Sequence, residues 1–322
     1  MMPPATAPAS PGSIMSNSTT DSLLEKGMAC LQNHDVVTAT ALLQKAAELS
    51  PGDITILSAL GQTWEQLQDV TKARECYLRA LAVNPAAVQI HQGLARLHLR
   101  GPHYLEGLRR IHANLQPDSY VEIGIRQGSS FKLASPEIPA VGIDPNPLVD
   151  AEKIPARHVI IRDTSDNYFQ SGRLPADLGG RPVDLALIDG MHLFEFALRD
   201  FIALEKSAHN GATILVHDCY PLNELTSRRE QETPFWSGDV WKLILCLKQY
   251  RDDLKIITLP CPPTGLAAIT NLDPGSTVLP HALDKICHQY IPLDFSAIDQ
   301  DQKCKLNLAE LAEALQTTYL KQ

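Results

Sequence analysis

The sequence lacks several features, and each absence narrows what the chain can be. No run of about 18 apolar residues occurs, which excludes a membrane-spanning helix. Basic residues are outnumbered: 28 Lys and Arg against 37 Asp and Glu leave a formal net charge of −9. A phosphate-backbone binder needs a concentrated basic face, so no nucleic-acid partner is expected. The 7 cysteines are odd in number and none forms a CxxC pair, which argues against a disulfide framework or a zinc site. They read as reduced thiols of a cytoplasmic protein, and Cys219 reads as structural. The first 20 residues, MMPPATAPASPGSIMSNSTT, have neither the basic flank nor the apolar stretch of a signal peptide. Their Pro, Ala, Ser and Thr predict a disordered tail over 1–20. What is present is a chain of 322 residues, 44% hydrophobic and 20% charged, long enough for about two globular domains.

Residues 20–53 and 54–87 align at a period of 34, pairing Gly27 with Gly61, Ala39 with Ala73, Leu43 with Tyr77, Ala46 with Ala80 and Pro51 with Pro85. Small residues at the Gly and Ala positions let two antiparallel helices approach closely, the larger pair fills the space between them, and the proline stops the second helix. A further first helix, VQIHQGLARLHLR, follows at 88–100 with Ala95 at the small position. The pattern resembles the tetratricopeptide repeat over 21–101. Such a module either offers a surface to a protein partner or serves as a packing and self-association element.

From 119 onward short apolar runs recur at 120–123, 141–143, 159–161, 185–188 and 214–216, with helical patterns at 104–115, 192–207 and 239–250. Strands buried on both faces read as continuous apolar runs, and helical crossovers imply a parallel sheet. Two later strands, 255–259 and 266–270, are separated by a short turn and form an antiparallel pair at the sheet edge. The expectation is an α/β, Rossmann-like domain over 102–272 whose ligand lies beyond the carboxyl ends of the strands. An extension with a helix at 306–320 occupies 273–322.

The first strand runs into VEIGIRQGSS, with Glu122, Gly124, Gly128, Ser129 and Ser130. Glycines there permit close backbone approach to a ligand as the chain turns into a helix. The dinucleotide pattern GxGxxG is absent, because Arg126 stands at its second glycine. The second strand ends in Asp144, 20 residues after Gly124, where a carboxylate can accept from both ribose hydroxyls of a nucleoside. The third ends at Arg162-Asp163-Thr164, the fourth at Asp189-Gly190 and the fifth at His217-Asp218.

The glycine segment resembles motif I of class I S-adenosylmethionine-dependent methyltransferases. The strings IDGMHLFEFALRDF, GATILVHDCYP and WSGDVWK are similar to a branch of small-molecule methyltransferases that includes cephalosporin hydroxylase-like proteins. The resemblance implies S-adenosylmethionine as cofactor, bound by Glu122, Gly124, Gly128, Ser129, Ser130, Asp144, Asp163 and Asp189. It also implies methyl transfer to a hydroxyl of a small metabolite or natural product.

Two mechanisms stand side by side for the reaction site. In one, Asp189, His217 and Asp218 hold a divalent cation that orients and acidifies the acceptor: Mg²⁺ by the carboxylates, or another metal in view of the imidazole. In the other, His192 or His217 is a metal-free general base, with Asp189 beside it. His192 also reads as a simple cap of the 192–207 helix. Tyr220, Trp236 and Asp239 are candidate acceptor contacts; Ser237 or Asp239 reads equally as a helix cap and Trp241 as core. The polar stretch 222–234 reads as a lid or as a solvated loop. The competing functional class is a non-catalytic nucleotide-binding scaffold that uses its repeats for protein–protein interaction.

Overall fold

Aspartates begin three of the N-terminal helices: Asp35, Asp53 and Asp69 each accept a hydrogen bond from a backbone amide in the first turn that follows. The computed structural model describes residues 11–150 and 153–310. The chain divides into two units, Met1–Leu97 and His98–Gln322.

The first unit consists of α1 (Pro11–Gln32), α2 (Val36–Leu49), α3 (Ile54–Gln66), α4 (Val70–Val83) and α5 (Val88–His98). The starts of α2 and α4 lie 34 residues apart, as do those of α3 and α5. The ring of Tyr77 is wedged between Gly61 and Gly93, where an added Cβ would come within 2.5 and 2.6 Å of it. Its hydroxyl donates to Glu65 Oε2 at 2.9 Å, and Glu65 pairs with Arg96 at 2.8 Å. Gly93, two residues before the expected Ala95, therefore gives Tyr77 its second face. Residues 11–20 belong to α1, so that part of the expected tail is helical; residues 1–10 lie outside the described residues.

The second unit opens with α6 (Tyr104–Leu115) and β1 (Tyr120–Ile123). After β1 come β2 (Ala140–Ile143), β3 (His158–Ile161), α7 (Ser165–Gln170), α8 (Leu174–Asp177), β4 (Val183–Ile188), α9 (Phe194–Ser207) and β5 (Ala208–His217). Then follow α10 (Trp241–Tyr250), the strands β6 (Lys255–Leu259) and β7 (Leu266–Thr270), α11 (Val278–Tyr290) and α12 (Gln302–Lys305). The sheet order is β3-β2-β1-β4-β5-β7-β6, with β1 to β5 parallel and β7 antiparallel to both neighbours. Side chains alternate across it. Val121, Ile123, Ala186, Ile188 and Val216 share one core with Phe201 of α9 and Trp241 of α10, while Tyr120, Leu185, Leu187 and Leu215 pack on the other face with Leu108 and Ile111 of α6. No α-helix links β1 to β2; a single 3₁₀ turn, Phe131–Leu133, stands where the glycine turn was expected to enter a helix.

Glu122 faces inward on β1 and is fully buried. It accepts from the Tyr120 hydroxyl at 2.7 Å and from the Ser130 hydroxyl, and burial pushes its carboxyl pKa up to about 8.

The 273–322 extension closes the free edge of the sheet. Thr258 of β6 donates its amide to Asn307 and accepts from the Ala309 amide, and its hydroxyl donates to Leu306. Leu306 is fully buried, and Gln302 reaches back to the carbonyl of Pro221 at 2.6 Å. The helix expected at 306–320 is not formed over 306–310, where the chain turns and pairs with β6; the remainder lies outside the described residues. Among the described residues no helix is long and apolar enough to cross a membrane.

Removing residues 301–322 should uncover the β6 edge and the site that Leu306 fills. Thermal unfolding is expected on the order of 5 °C lower, with concentration-dependent association on size-exclusion light scattering. Glu122 gives a pH test. Its folded pKa lies above the ordinary value of 4.5, so the stability linked to it is complete below that value and is lost as pH rises through about 8. Urea unfolding at acidic and alkaline ends of that window should show a loss for the wild type that exceeds the loss for Glu122→Gln by on the order of 3 kcal/mol.

Candidate functional site

The carboxyl ends of β1, β4 and β5 meet at one place. Gly124 follows β1 with φ +89°, and a Cβ there would lie 2.0 Å from the carbonyl oxygen of Asp189. Only glycine fits, so the turn after β1 lies directly against the end of β4. The β4–β5 register pairs Ile188 with Val216, which sets Asp189 level with His217 and leaves Asp218 one residue beyond. His192 and Asp218 both adopt left-handed backbone, φ +56° and +57°, at a cost of about 1 kcal/mol or more each for a side chain-bearing residue.

These residues form a single cluster. His217 Nδ1 lies 3.1 Å from Asp189 Oδ1 and 3.2 Å from Asp218 Oδ2. His192 Nε2 lies 3.1 Å from Asp218 Oδ2 and 3.5 Å from Asp189 Oδ1. Burial disfavours the charged forms of Asp189, His192 and His217, yet the pairing overrides it. Asp218 and then Asp189 raise His192 to about 9 and hold His217 well above the ordinary imidazole value. His217 and His192 hold Asp189 well below the usual carboxylate range, against the effect of burial. The Asp189 side chain is the more open of the two carboxylates, 16% exposed against 6% for Asp218.

Two aromatic rings border the cluster. Tyr104, the first residue of α6, packs on His217 with ring centres 4.3 Å apart. Trp236 stacks on His192 at 5.4 Å and 29°. Nothing in the local pattern marks Tyr104, which stands alone before an amphipathic helix.

The other expected residues are distributed as follows. Glu122 and Ser130 are buried against one another beneath the turn, while Ser129 is exposed on it. Gly128 also has positive φ, with Val149 packed against its α-carbon. Asp144 Oδ2 accepts from the Arg126 amide at 2.8 Å and Oδ1 from the Asn146 amide at 2.7 Å, which ties the end of β2 to the same turn. Asp163 is exposed and its Oδ1 accepts from the Thr164 amide and the Asn167 side chain.

Tyr220 is 2% exposed and belongs to the core under α9 and α10, so its ring is not on the open side of the cluster. Asp239 is fully buried. His192 does not cap the helix after it: α9 starts at Phe194, and the amide of Phe194 donates to Asp239 Oδ1 at 2.7 Å. Neither Ser237 nor Asp239 caps α10, which begins at Trp241 without a side-chain cap. The stretch 222–234 is pinned at some points and solvated at others: Thr226, Ser227 and Thr233 are buried and Arg229 pairs with Glu195 at 2.6 Å and Asp239 at 2.7 Å, while Glu224, Arg228, Glu230 and Glu232 are exposed.

Residues 121–219 match the family model described as a methyltransferase domain. No curated protein matches the chain significantly. Among solved structures, pilF of Pseudomonas aeruginosa aligns at 19% identity over 31% of this chain, with a TM-score of 0.25. This chain spans only 44% of that one. A protein provisionally described as an O-methyltransferase from Klebsiella pneumoniae aligns at 15% identity over 53% of this chain and 80% of its own, TM-score 0.38. Cofactor-bound Rv0187 from MTB aligns at 16% identity over 61% of this chain and 95% of its own, TM-score 0.41. Five parallel strands in the order 3-2-1-4-5 and an antiparallel β7 inserted before β6 give the second unit a Rossmann-like fold, and its residues 121–219 are similar to a methyltransferase domain.

Proposed function

We propose that this domain transfers a methyl group from S-adenosylmethionine to a hydroxyl of a small-molecule acceptor, with Asp189, His192, His217 and Asp218 as the reaction site. One observation carries the reading: the end of β4 is shared by two functional regions. Its backbone abuts Gly124 of the glycine turn, and the side chain of its terminal Asp189 belongs to the charged cluster.

The residues present fit the nucleoside. Each oxygen of Asp144 has one backbone donor, which leaves a second lone pair on each for a ribose hydroxyl. Asp163 and the exposed Ser129 stand at neighbouring strand ends. The residues also fit a divalent cation. Asp189, His192 and Asp218 offer ligand atoms within 4.8 Å of one another, and the contacts of 3.1 and 3.5 Å approach the ~3 Å between adjacent ligands of a first-row ion. Imidazole in the set favours Mn, Fe or Zn over Mg.

S-adenosylmethionine supplies an electrophilic methyl carbon when bound, and a cation at the cluster would acidify the acceptor hydroxyl. The chain supplies alignment and proton handling. Asp189, as the more open carboxylate, accepts a hydrogen bond from the acceptor hydroxyl and orients it, and the hydroxyl proton passes to solvent as the oxygen takes the methyl group. Without a cation, the ring N–H groups of His192 and His217 supply the positive end of a dipole to the oxygen as it becomes nucleophilic. Tyr104 and Trp236 keep one side of each histidine dry, which strengthens these interactions.

Titration calorimetry with S-adenosylmethionine should show one site on the wild type, and absence of binding overturns the reading. Asp144→Ala should weaken that binding about tenfold or more through loss of charge-assisted hydrogen bonds. Asp218→Ala should leave cofactor affinity within about twofold yet lower S-adenosylhomocysteine release by at least ~100-fold, with whichever hydroxylated compound the wild type methylates in a screen. Chelator-treated protein should rebind one Mn²⁺ per chain, and Asp189→Ala should not; failure of the wild type to bind removes the cation from the mechanism.

A further inference from the structure

We infer that Asp239, with Gly238 and Trp236, forms a fixed strap that positions His192, and that this is why the segment 222–240 is packed instead of mobile. His192 has a left-handed backbone, φ +56°, and lies between the end of β4 and the start of α9. Asp189 contacts its ring from three residues before, while the contacts to its backbone carbonyl come from Gly238 and Asp239. The Asp239 amide donates to the His192 carbonyl at 3.2 Å, while Asp239 Oδ1 accepts from the Phe194 amide at 2.7 Å. One residue thus clamps the chain on both sides of Leu193 and caps α9 in place of a local residue.

Gly238 closes the same contact. With φ +61°, it lies so near that a Cβ would fall 1.9 Å from the His192 carbonyl oxygen. Trp236 then covers the imidazole itself, its ring plane 29° from that of His192, and its indole N–H is anchored on the Arg228 carbonyl at 2.6 Å. Backbone and side chain of His192 are therefore both held by the run 236–239.

The strap is held in turn by charge. The second oxygen of Asp239 accepts from Arg229 at 2.7 Å and from the buried Lys242 at 2.8 Å. Arg229 makes a two-pronged pair with Glu195 of α9, and Lys242 also donates to the Ile291 carbonyl at 2.8 Å. A fully buried carboxylate held by two cations and an amide is closed off from any acceptor molecule in solution, so its task is to place His192. The inference rests on the reading of His192 as part of the reaction site, but its test observes geometry and not turnover.

The test uses the full chain labelled with ¹⁵N-histidine. In the wild type, the imidazole Nε2–H of His192, held between Asp189 and Asp218, should give a resolved, slowly exchanging signal, identified by its loss in His192→Gln. Asp239→Ala should speed exchange of that proton at least tenfold while the His217 signal stays in place. Asp239→Asn, which keeps the acceptor for the Phe194 amide, should restore most of the protection. Asp239→Ala leaves Arg229 and Lys242 buried without their partner, so it can unfold the domain. Trp236→Ala, at a half-exposed position, and Gly238→Ala supply the same readout without stranding a charge, and each should release the His192 signal. Folded variants with unchanged His192 exchange overturn the inference. Calorimetry with S-adenosylmethionine separates the two questions: a wild type that binds no cofactor overturns the proposed function, while the exchange data still decide the strap.

Discussion

Two carboxylates at the ends of adjacent parallel strands repel one another, and the site depends on how that repulsion is met. The β4–β5 register brings Asp189 and Asp218 to a common imidazole, within 3.1 and 3.2 Å of His217 Nδ1. Left alone, buried carboxylates would protonate. At Asp189 the neighbouring His217 and His192 prevent this and hold its carboxyl well below the usual range, and the result is a compact cluster at the mouth of the sheet.

The surroundings serve that arrangement. Gly124 lets the β1 turn lie against Asp189, and the left-handed backbone at His192 and Asp218 aims their side chains at one point. Such backbone is held only where neighbouring structure over-determines it. At His192 the determinants are Asp239 and Gly238, whose own positions depend on Arg229, Glu195 and Lys242. The extension after β7 contributes at a distance: it pairs with the edge of β6 and reaches back from Gln302 to Pro221, beside the loop that follows Asp218. The N-terminal unit follows a simpler rule, with Tyr77 filling the space left by Gly61 and Gly93.

Much of this was legible in the chain. The seven strands, the helix at 104–115 and the 34-residue offsets are local patterns of apolar residues, and the acidic strand ends mark the face where a ligand would lie. The reading went astray wherever one residue type serves two purposes. Asp239 looked like a helix cap or a substrate contact and instead caps a helix 45 residues earlier. Tyr220 looked like a pocket residue because it follows Asp218, but the bend after β5 turns it into the core. The polar stretch 222–234 is solvated at most of its charges, but Arg229 turns inward to Glu195 and Asp239.

Periodicity, strand order and the identity of the groups at each strand end follow from interactions a few residues long, through side-chain burial and backbone preference, and these can be read from the amino acids in line. The pairing of those groups is a different matter. That His192 is bracketed by two carboxylates, that Tyr104 covers His217, that Arg229 spans 34 residues to Glu195 and that Leu306 seals β6 were settled only by packing. A charged or aromatic residue carries no local mark of whether it will meet water or a buried partner, because the cost of burial depends on neighbours that the fold alone brings near.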